Sequence, residues 1–532
     1  MMVPAMDANR AAKNAPGGVT DGGRTLVRAG WVIPVAAAPI ENGAVLVEGD
    51  RIIAVDRAEA FEGTPGISRE LGNAQAWLLP GFVNSHYHSG RSFQLGYSDE
   101  PGDIGLVRTF SFAGFTDLET AREFAYLDTL NSACQLMRSG VTTTLDMAWG
   151  GRKSGVGHEY AISAYRDLGL AVIFAPIARD RGALVYGEDE DFLATLPEDL
   201  ATRVRAARLG QSGKITAAEY QVEWQDLHDR FDDGDLIRLI AALDGVIWSS
   251  DGLTKAIGQW AAAHRIPIHL HHAESKLEVD WALATLGRTT TAHLSALGVL
   301  TPLTSLAHGI WVSDEDMRLC AEAGVSIAHT PTSDLRWYAG IAPVVDWLKA
   351  GVNVCLGIDA DGFSDANDFL QEMRVASLLQ RVPGLLDWPG LSPETVLRTG
   401  TLNGARCFGL DGRVGTLEPG KRADLVLIAG DQVRGRLVNP LAEVQEVLVR
   451  RARAEHVQCV MVGGRVVLKD GSVVNVNEKQ IVEKTRRLYD ELWANQDEAR
   501  AQLINELIVY VHRYFKLWQV NSLPTRYRYN GS

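Results

Sequence analysis

Histidines at the ends of apolar runs are the residues of this chain best suited to chemistry. His86 and His88 close the run PGFVNSHYH, which predicts a β-strand. Side chains two residues apart on a strand point to the same face, so these two imidazoles can grip one metal ion. In the run IPIHLHHAES, we interpret His271 as a further ligand and Glu274, three residues later, as a proton carrier.

Two other histidines of the second run have different expected roles. His269 shares a strand face with His271 and is expected to support the metal ligands or to lie in the core. His272 points to the opposite face, and we expect it to pack behind the strand.

Three more strand-like runs end in polar residues. His308 ends the run LAH, and Ser313 then begins SDED, which is typical of a capping box that opens a helix. His329 and Ser333 lie in the run IAHTPTS, at another predicted strand end. Asp359 ends the run CLGID, and an acidic group at the end of a buried strand is costly unless it is paired or binds a metal.

The region that carries these motifs predicts a barrel. Residues 80–410 alternate strand-like runs with helical periodicity, which indicates βα units and parallel strands. About 330 residues suit an eight-fold barrel with insertions, and the charged, strand-poor residues 179–235 are the expected insertion. Active sites of such barrels lie at the carboxyl ends of the strands. Trp149, just after the predicted second strand, either lines that pocket or packs as an ordinary core residue.

The flanks predict smaller units around the barrel. Residues 1–24 indicate a flexible tail, and the strand-and-turn patterns of 25–79 and 411–475 predict one small β-sandwich domain built from both chain ends. Residues 476–532 predict a helical C-terminal extension. The predicted fold class is therefore α/β: a metal-dependent (β/α)8 TIM-type barrel over 80–410, with the small sandwich domain and the extension.

Composition narrows the partners and the compartment. The 532 residues include 52 Lys+Arg and 66 Asp+Glu, a net charge of −14, which argues against a nucleic-acid partner. No apolar stretch approaches the ~18 residues of a membrane span, so no membrane partner is expected. Five scattered cysteines without a CxxC pair predict reduced thiols and a cytoplasmic location. The apolar face of the extension favours a homodimer or homotetramer.

Longer motifs resemble those of a known family. They are PGFVNSHYH, GVTTTLD from Gly140, HHAE from His271, GID from Gly357 and GTLEPGKRADLV from Gly415. With the ordered histidine sites, they resemble the amidohydrolase superfamily, in the branch of cytosine, guanine and adenosine-type deaminases and triazine hydrolases (chlorohydrolases). The resemblance covers about residues 25–471.

The resemblance implies one divalent metal ion per subunit. Members that bridge two metals use a carboxylated lysine on the fourth strand, and the candidate fourth strand, 236–250, has no lysine. Three imidazoles and a carboxylate suit Zn²⁺, with Fe²⁺ as the alternative. The implied metal ligands are His86, His88, His271 and Asp359; the catalytic residues are Glu274, His308 and Asp359; and the substrate-binding residues are predicted to be Trp149, His329 and Ser333.

The predicted function is hydrolytic deamination of a small aminated aromatic heterocycle of the purine, pterin, pyrimidine or triazine type. Hydroxide generated at the metal attacks the ring carbon, and Glu274 carries a proton to the ring nitrogen and the leaving group. A halide leaves without a proton, so the glutamate favours ammonia release. The alternative is a hydrolase on the same mononuclear site that removes chloride or an N-alkylamine, or cleaves an amide, carbamate or urea.

Two further points qualify this prediction. A non-catalytic scaffold with the same barrel is a third interpretation, but it would be expected to lose ligands, and all four are present. The family often has Ser-Asn after the seventh strand, where this chain has Ser333 and Asp334. The lost amide donor predicts a different polarity in the substrate site.

Overall fold

The computed structural model describes most of the chain. The predicted N-terminal tail lies almost wholly outside the described residues, as do the last residues of the predicted extension, 519–532. None of the described helices combines the length and the hydropathy needed to span a lipid bilayer. The described residues are 23–96, 107, 110, 115, 117–151, 155–182, 184–209, 213–364, 366–381, 390–494 and 497–518.

The strands form two sheets, one from the middle of the chain and one from both ends. In chain order they are β1 (Arg24–Val32), β2 (Ile40–Glu48), β3 (Arg51–Arg57), β4 (Ile67–Pro80), β5 (Phe82–Asn84), β6 (Val141–Ala148), β7 (Ala171–Ala178), β8 (Ile237–Leu239), β9 (Ala241–Leu243), β10 (Ile268–His272), β11 (Thr304–His308), β12 (Ser326–His329), β13 (Asn353–Leu356), β14 (Leu425–Ile428), β15 (Val457–Val462), β16 (Arg465–Lys469) and β17 (Ser472–Val473).

The helices follow the strands of the central sheet and close the chain. They are α1 (Leu118–Arg138), α2 (Glu159–Leu168), α3 (Asp189–Leu193), α4 (Glu198–Ala206), α5 (Ala217–Phe231), α6 (Asp251–Ala263), α7 (Lys276–Leu286), α8 (Thr290–Ala296), α9 (Asp314–Ala323), α10 (Pro331–Arg336), α11 (Val344–Lys349), α12 (Asp361–Ser364), α13 (Phe369–Leu379), α14 (Pro393–Thr399), α15 (Leu402–Cys407), α16 (Gly430–Arg434), α17 (Val444–Arg451), α18 (Glu478–Ala494) and α19 (Glu498–Phe515). Short 3₁₀ helices lie at Ala58–Phe61, Ser92–Gln94, Ala454–His456 and Lys516–Trp518.

The central sheet is a nearly closed barrel of parallel strands. Its order is β5-β6-β7-β9-β10-β11-β12-β13, and β8 also pairs with β7. The two ends of this order meet through backbone hydrogen bonds, because Ser85 N–H donates to the carbonyl of Leu356 (2.9 Å) and Asp359 N–H to that of His86 (3.0 Å). Closure therefore places the first motif, with His86 and His88, next to the last motif, with Asp359.

The barrel strands are nearly continuous apolar runs because both of their faces are covered. Every residue of β6 is buried. On β7, Ile173 and Ala175 pack in the barrel interior with Leu145, whereas Val172 and Phe174 face the surrounding helices. This alternation follows the two-residue period of a strand and fixes which side chains point inward.

The second sheet is mixed and is built from both chain ends. Its order is β17-β16-β15-β14-β4-β1-β2-β3. The long strand β4 pairs in parallel with β1 and antiparallel with β14, and it ends at Pro80, two residues before β5 begins. The two chain ends thus share one sheet that is attached directly to the first barrel strand.

The C-terminal helices pack on the outside of the barrel. The Arg138 guanidinium pairs with Glu478 at 2.7 Å, and the Tyr489 hydroxyl donates to Asp128 at 2.5 Å, so α18 is held against α1. Arg203 pairs with Glu506 at 2.8 Å and joins α4 to α19. The extension is thereby fastened at two points of the barrel.

The predicted fold class is confirmed. The α/β barrel, the sheet from both ends and the C-terminal helices are all present. The predicted capping box is also confirmed, since Ser313 and Asp316 bond reciprocally at the start of α9. Residues 179–235 contain helices but no strand among their described residues, as expected for the insertion. The exact domain boundaries stay a prediction.

Candidate active site

The carboxyl ends of the barrel strands bring the sequence motifs together. The last residues of β10, β11 and β12 and the turns after β5, β10, β12 and β13 supply polar side chains to the same mouth of the barrel. In this order of strands, the residues are His86 and His88, His271 and Glu274, His308, His329 and Ser333, and Asp359.

Three imidazoles and one carboxylate converge at the centre of this mouth. The distance between the Nε2 atoms of His88 and His271 is 3.0 Å. The Oδ1 atom of Asp359 lies 3.6 Å from Nε2 of His86 and 3.5 Å from Nε2 of His88. Candidate ligand atoms of His86, His88 and Asp359 all lie within 4.8 Å of one another, which is the spacing of a shared cation site.

The hydrogen bonds of the imidazoles show which nitrogen atoms are free for a cation. Nδ1 of His88 lies 2.5 Å from the carbonyl oxygen of Met147, and Nδ1 of His271 lies 2.6 Å from that of Asp244. A carbonyl only accepts, so both Nδ1 atoms carry the proton and both Nε2 atoms present a lone pair. Two lone pairs that face each other at 3.0 Å repel unless a cation lies between them. Nε2 of the buried His86 has no hydrogen-bond partner among the described residues. The donor set therefore fits a divalent metal ion.

Burial keeps the imidazoles of His86 and His88 in the neutral form that binds metals. Burial, with the neighbouring histidines, lowers the pKa of both His86 and His88 well below the ordinary value, so both rings are neutral. Burial raises the pKa of Asp359 to about 6, against the opposing charge of His308. The Ser333 hydroxyl donates to Oδ2 of Asp359 at 2.5 Å, which leaves Oδ1 directed at the histidines.

Two of the site residues hold a strained backbone. His308 has φ +70° and Asp359 has φ +77°, in the left-handed region that side chains with a Cβ rarely adopt. Strain of this kind, about 1–3 kcal/mol each, clusters at functional sites. Gly357 permits the close approach of β13 to β5, because a Cβ there would lie 2.9 Å from the Cβ of His86.

His308 and Glu274 lie beside the candidate metal ligands. Nδ1 of His308 is 2.9 Å from Oδ1 of Asp334, and its Nε2 is 3.9 Å from Oε2 of Glu274. Burial alone would lower the pKa of His308, but the carboxylates of Glu274 and Asp334 outweigh it and raise the pKa to about 10. The Glu278 carboxylate accepts the backbone N–H groups of Ala273 and Glu274, both at 2.9 Å, and so fixes the turn that carries Glu274.

The side wall of the mouth is aromatic. The Trp149 ring stacks on His88 with centroids 4.0 Å apart, and the Arg91 guanidinium carbon lies 4.0 Å from the Trp149 ring centroid. Trp149 is therefore placed next to a candidate metal ligand.

Comparison with known proteins agrees with this geometry. The sequence model of the amidohydrolase family matches residues 77–467 of this chain. The chain belongs to the amidohydrolase family. It is 28% identical to the 5-methylthioadenosine/S-adenosylhomocysteine deaminase of Syntrophobacter fumaroxidans over 84% of this chain and 92% of that protein. It is 29% identical to the 5'-deoxyadenosine deaminase of Methanothermobacter thermautotrophicus, over 86% and 96% respectively.

Solved structures show that the fold of this amidohydrolase is shared. An adenosine deaminase from Xanthomonas campestris with bound zinc matches with a TM-score of 0.76 and 24% identity, covering 88% of this chain and 98% of that one. The atrazine chlorohydrolase of Arthrobacter aurescens TC1, complexed with zinc, matches with a TM-score of 0.73 and 24% identity over 87% and 100%. The predicted membership of the amidohydrolase superfamily is confirmed, and the relatives and solved structures similar to this chain include deaminases and a triazine hydrolase.

The remaining predicted residues of the amidohydrolase lie close to this centre. Ser333 contacts Asp359 as described, and Nδ1 of His329 lies 3.5 Å from Oδ2 of Asp334. The roles of Trp149, His329 and Ser333 in substrate binding stay predictions. His269 supports His86, since its Nε2 lies 2.9 Å from Nδ1 of that ring.

His272 leaves the mouth, as the strand alternation predicts. Its Nε2 lies 2.9 Å from the Thr291 hydroxyl, on the side of the strand that faces α8. Its predicted position behind the barrel strand is confirmed.

Sequence reasoning missed three residues of the site. Asp244 accepts from His271 through its backbone carbonyl, and its carboxylate lies 3.3 Å from the Arg179 guanidinium. Like Asp359, it directly follows an apolar strand, and that signal was available. Trp248, whose ring centroid lies 6.1 Å from that of His271, and Arg91 carried no such signal, because neither ends a strand.

Proposed function

We propose that this amidohydrolase deaminates the adenine ring of a nucleoside of the 5'-deoxyadenosine, methylthioadenosine or S-adenosylhomocysteine class. The support is twofold. Relatives with those names are similar over more than four fifths of the chain. The single observation that carries the chemistry is Glu274, whose carboxylate lies beside His308 at the edge of the candidate metal site.

The proposed cofactor is one divalent ion, zinc in the first instance and iron(II) as the alternative. The proposed ligands are His86, His88, His271 and Asp359. When bound, such an ion supplies Lewis-acid activation of a water molecule near neutral pH. Neutral imidazoles and a carboxylate are the donors that suit either metal.

The chain's own residues then handle the protons. The Asp359 carboxylate accepts a proton from the attacking water. Protonated Glu274 delivers its proton to the ring nitrogen next to the carbon that carries the amino group. It then takes up the proton of the hydroxyl group added to that carbon and passes it to the amino group, which leaves as ammonia. The proton held by Asp359 returns to Glu274 and completes the cycle. The cationic His308 stabilises the incoming oxygen, and Asp334 holds the imidazole in position through Nδ1.

The proton balance favours an amine leaving group over chloride. Adenine is a weak electrophile, and its amino group cannot leave as an anion, so the ring nitrogen and the amino group must both be protonated. A carboxyl group placed at the mouth, with its side chain 27% exposed, has access to a bound ring. Chloride needs no such carrier.

The test is ammonia release by the zinc-loaded protein. We expect 5'-deoxyadenosine, methylthioadenosine and S-adenosylhomocysteine to be converted to the corresponding hypoxanthine nucleosides, with one ammonia for each nucleoside consumed. A chlorinated triazine, an N-alkylaminotriazine and an aryl carbamate are the comparison substrates. Conversion of those compounds without conversion of any adenine nucleoside would replace the proposal with the alternative hydrolase.

A further inference from the structure

The C-terminal extension reaches the catalytic end of the barrel. The Tyr186 ring lies 5.0 Å from that of Phe515 and stacks on that of Trp518, with centroids 6.4 Å apart and an interplanar angle of 4°. Tyr186 belongs to the loop after β7, on the end of the barrel where the candidate metal ligands lie. The end of the chain therefore packs against an active-site loop.

A continuous set of aromatic rings connects this contact to the site. The Trp248 ring lies 6.2 Å from Tyr186 and 6.1 Å from the His271 ring, in both cases edge to face. The Tyr186 hydroxyl lies 3.1 Å from the hydroxyl of Ser275, the residue after Glu274. We name the rings of Tyr186, Trp248, Phe515 and Trp518 the outer aromatic wall.

The outer aromatic wall is held in place from outside the pocket. Phe515 is buried, and the neighbouring Tyr514 ring packs on Phe192 at 5.0 Å. The Arg500 guanidinium donates to the carbonyl oxygen of Phe110 at 2.5 Å, which fastens the start of the same helix. Phe515 and Trp518 lie beyond residue 467, where the match to the family ends.

We propose that the outer aromatic wall contacts the part of the substrate that does not react and selects nucleosides whose 5' carbon carries hydrogen or a thioether sulfur in place of a hydroxyl group. This assignment rests on the proposed function. Contact of ring faces with alkyl and thioether groups is favourable. A 5' hydroxyl group at such a surface loses its hydrogen bonds to water and finds no hydrogen-bond partner in their place. The expected substrate is therefore a 5'-deoxy or 5'-alkylthio nucleoside rather than adenosine itself.

The deciding experiment compares methylthioadenosine with adenosine in three variants. Trp518→Ala removes a partly exposed ring of the wall, Trp518→Phe keeps an aromatic ring, and Leu517→Ala removes the exposed neighbouring side chain as the matched control. We expect Trp518→Ala to lower the ratio of kcat/KM for methylthioadenosine over adenosine about tenfold, through KM for the thioether. Trp518→Phe restores most of the ratio, and Leu517→Ala leaves it unchanged.

The outcomes separate this assignment from the proposed function and from a folding defect. Circular dichroism and thermal unfolding of each variant show whether it is folded. An unchanged ratio in folded Trp518→Ala overturns the assignment. Equal loss of kcat for both nucleosides also overturns it, because the ring would then act only by supporting the turn of Glu274. No ammonia from either nucleoside with the unaltered protein overturns the proposed function first and this assignment with it.

Discussion

Both ends of the barrel carry buried ionisable side chains. They pair with one another at the amino end, whereas they point to one common centre at the carboxyl end. At the amino end, Arg422 pairs with Asp424 at 2.6 Å and with Asp235 at 3.1 Å, and Asp424 also accepts the backbone N–H of Gly463 at 2.9 Å. The cavity beside these residues is about 10 Å³, no more than one water molecule needs. At the carboxyl end, by contrast, the imidazole nitrogen atoms of His88 and His271 face each other.

This difference separates stability from function. The paired charges at the amino end join the barrel to the mixed sheet, and their hydrogen bonds are made with one another and with the backbone. The groups at the carboxyl end are held equally firmly by their far atoms, as the carbonyl contact of His88 shows, but their near atoms point to one common centre. A site of this kind lowers the stability of the protein, in part through the strained backbone at His308 and Asp359. The rest of the fold compensates for this cost.

The largest effect is expected at the carboxyl end. Glu274→Gln keeps the size of the side chain but removes the proton carrier, so kcat for nucleoside deamination should fall about 10²–10⁴-fold with the metal retained. Steady-state ammonia release measures this. Glu188→Gln, an exposed glutamate in another loop, is the control. Undiminished turnover in Glu274→Gln would remove the proton-carrier role.

The amino end should respond in stability and not in activity. Asp424→Ala leaves the buried Arg422 without its bidentate partner, and we expect the free energy of unfolding to fall by about 3 kcal/mol. Urea denaturation measures the loss, and kcat at a permissive temperature should be unchanged. Asp411→Asn, at an exposed ion pair, should change the stability by less than about 1 kcal/mol. A large loss of kcat in folded Asp424→Ala would contradict the division between the two ends.

An intermediate effect is expected where a support contacts a catalytic group. Asp334→Asn keeps the shape but removes the charge next to Nδ1 of His308, so kcat should fall about 10–100-fold with little change in KM. Initial rates over a range of nucleoside concentrations separate the two constants. If kcat is unaffected, the carboxylate of Asp334 acts only in packing.

The smallest effect tests a satisfied polar group near the catalytic end. The Ser313 hydroxyl caps α9 by accepting a hydrogen bond from the N–H of Asp316 at 3.2 Å, and Ser313→Ala removes this cap. We expect a loss of about 1 kcal/mol in the free energy of unfolding and no change in kcat. Loss of activity without loss of stability would show that position along the barrel axis, rather than hydrogen-bond satisfaction, divides the two kinds of residue.

The sequence predicts those parts of the site that lie just after strands. His86 and His88 stand two residues apart after β5, and Asp359 is a buried charge after β13 that is tolerated only with a partner. Each of these signals is local, and the strand order of a βα barrel then brings them together without further information.

Other parts of the site depend on contacts that no local pattern encodes. The approach of Trp518 to Tyr186 joins residues more than three hundred positions apart, and it depends on how the extension crosses the barrel surface. Helical periodicity predicted the extension's helices but not which loop they cover. For the same reason the sequence did not predict Arg91 as a residue of the site, because its position over Trp149 follows from the path of a loop rather than from a strand.

Metal content measured by inductively coupled plasma mass spectrometry tests the central claim most directly. The purified protein should hold one zinc or iron ion per chain, and folded His86→Ala should hold almost none, because Nε2 of His86 is a buried nitrogen at the centre of the site with no hydrogen-bond partner among the described residues. Glu274→Gln should retain the full metal content despite its lost activity. A folded protein without metal after supplementation, or a His86→Ala variant with undiminished metal, would contradict the account.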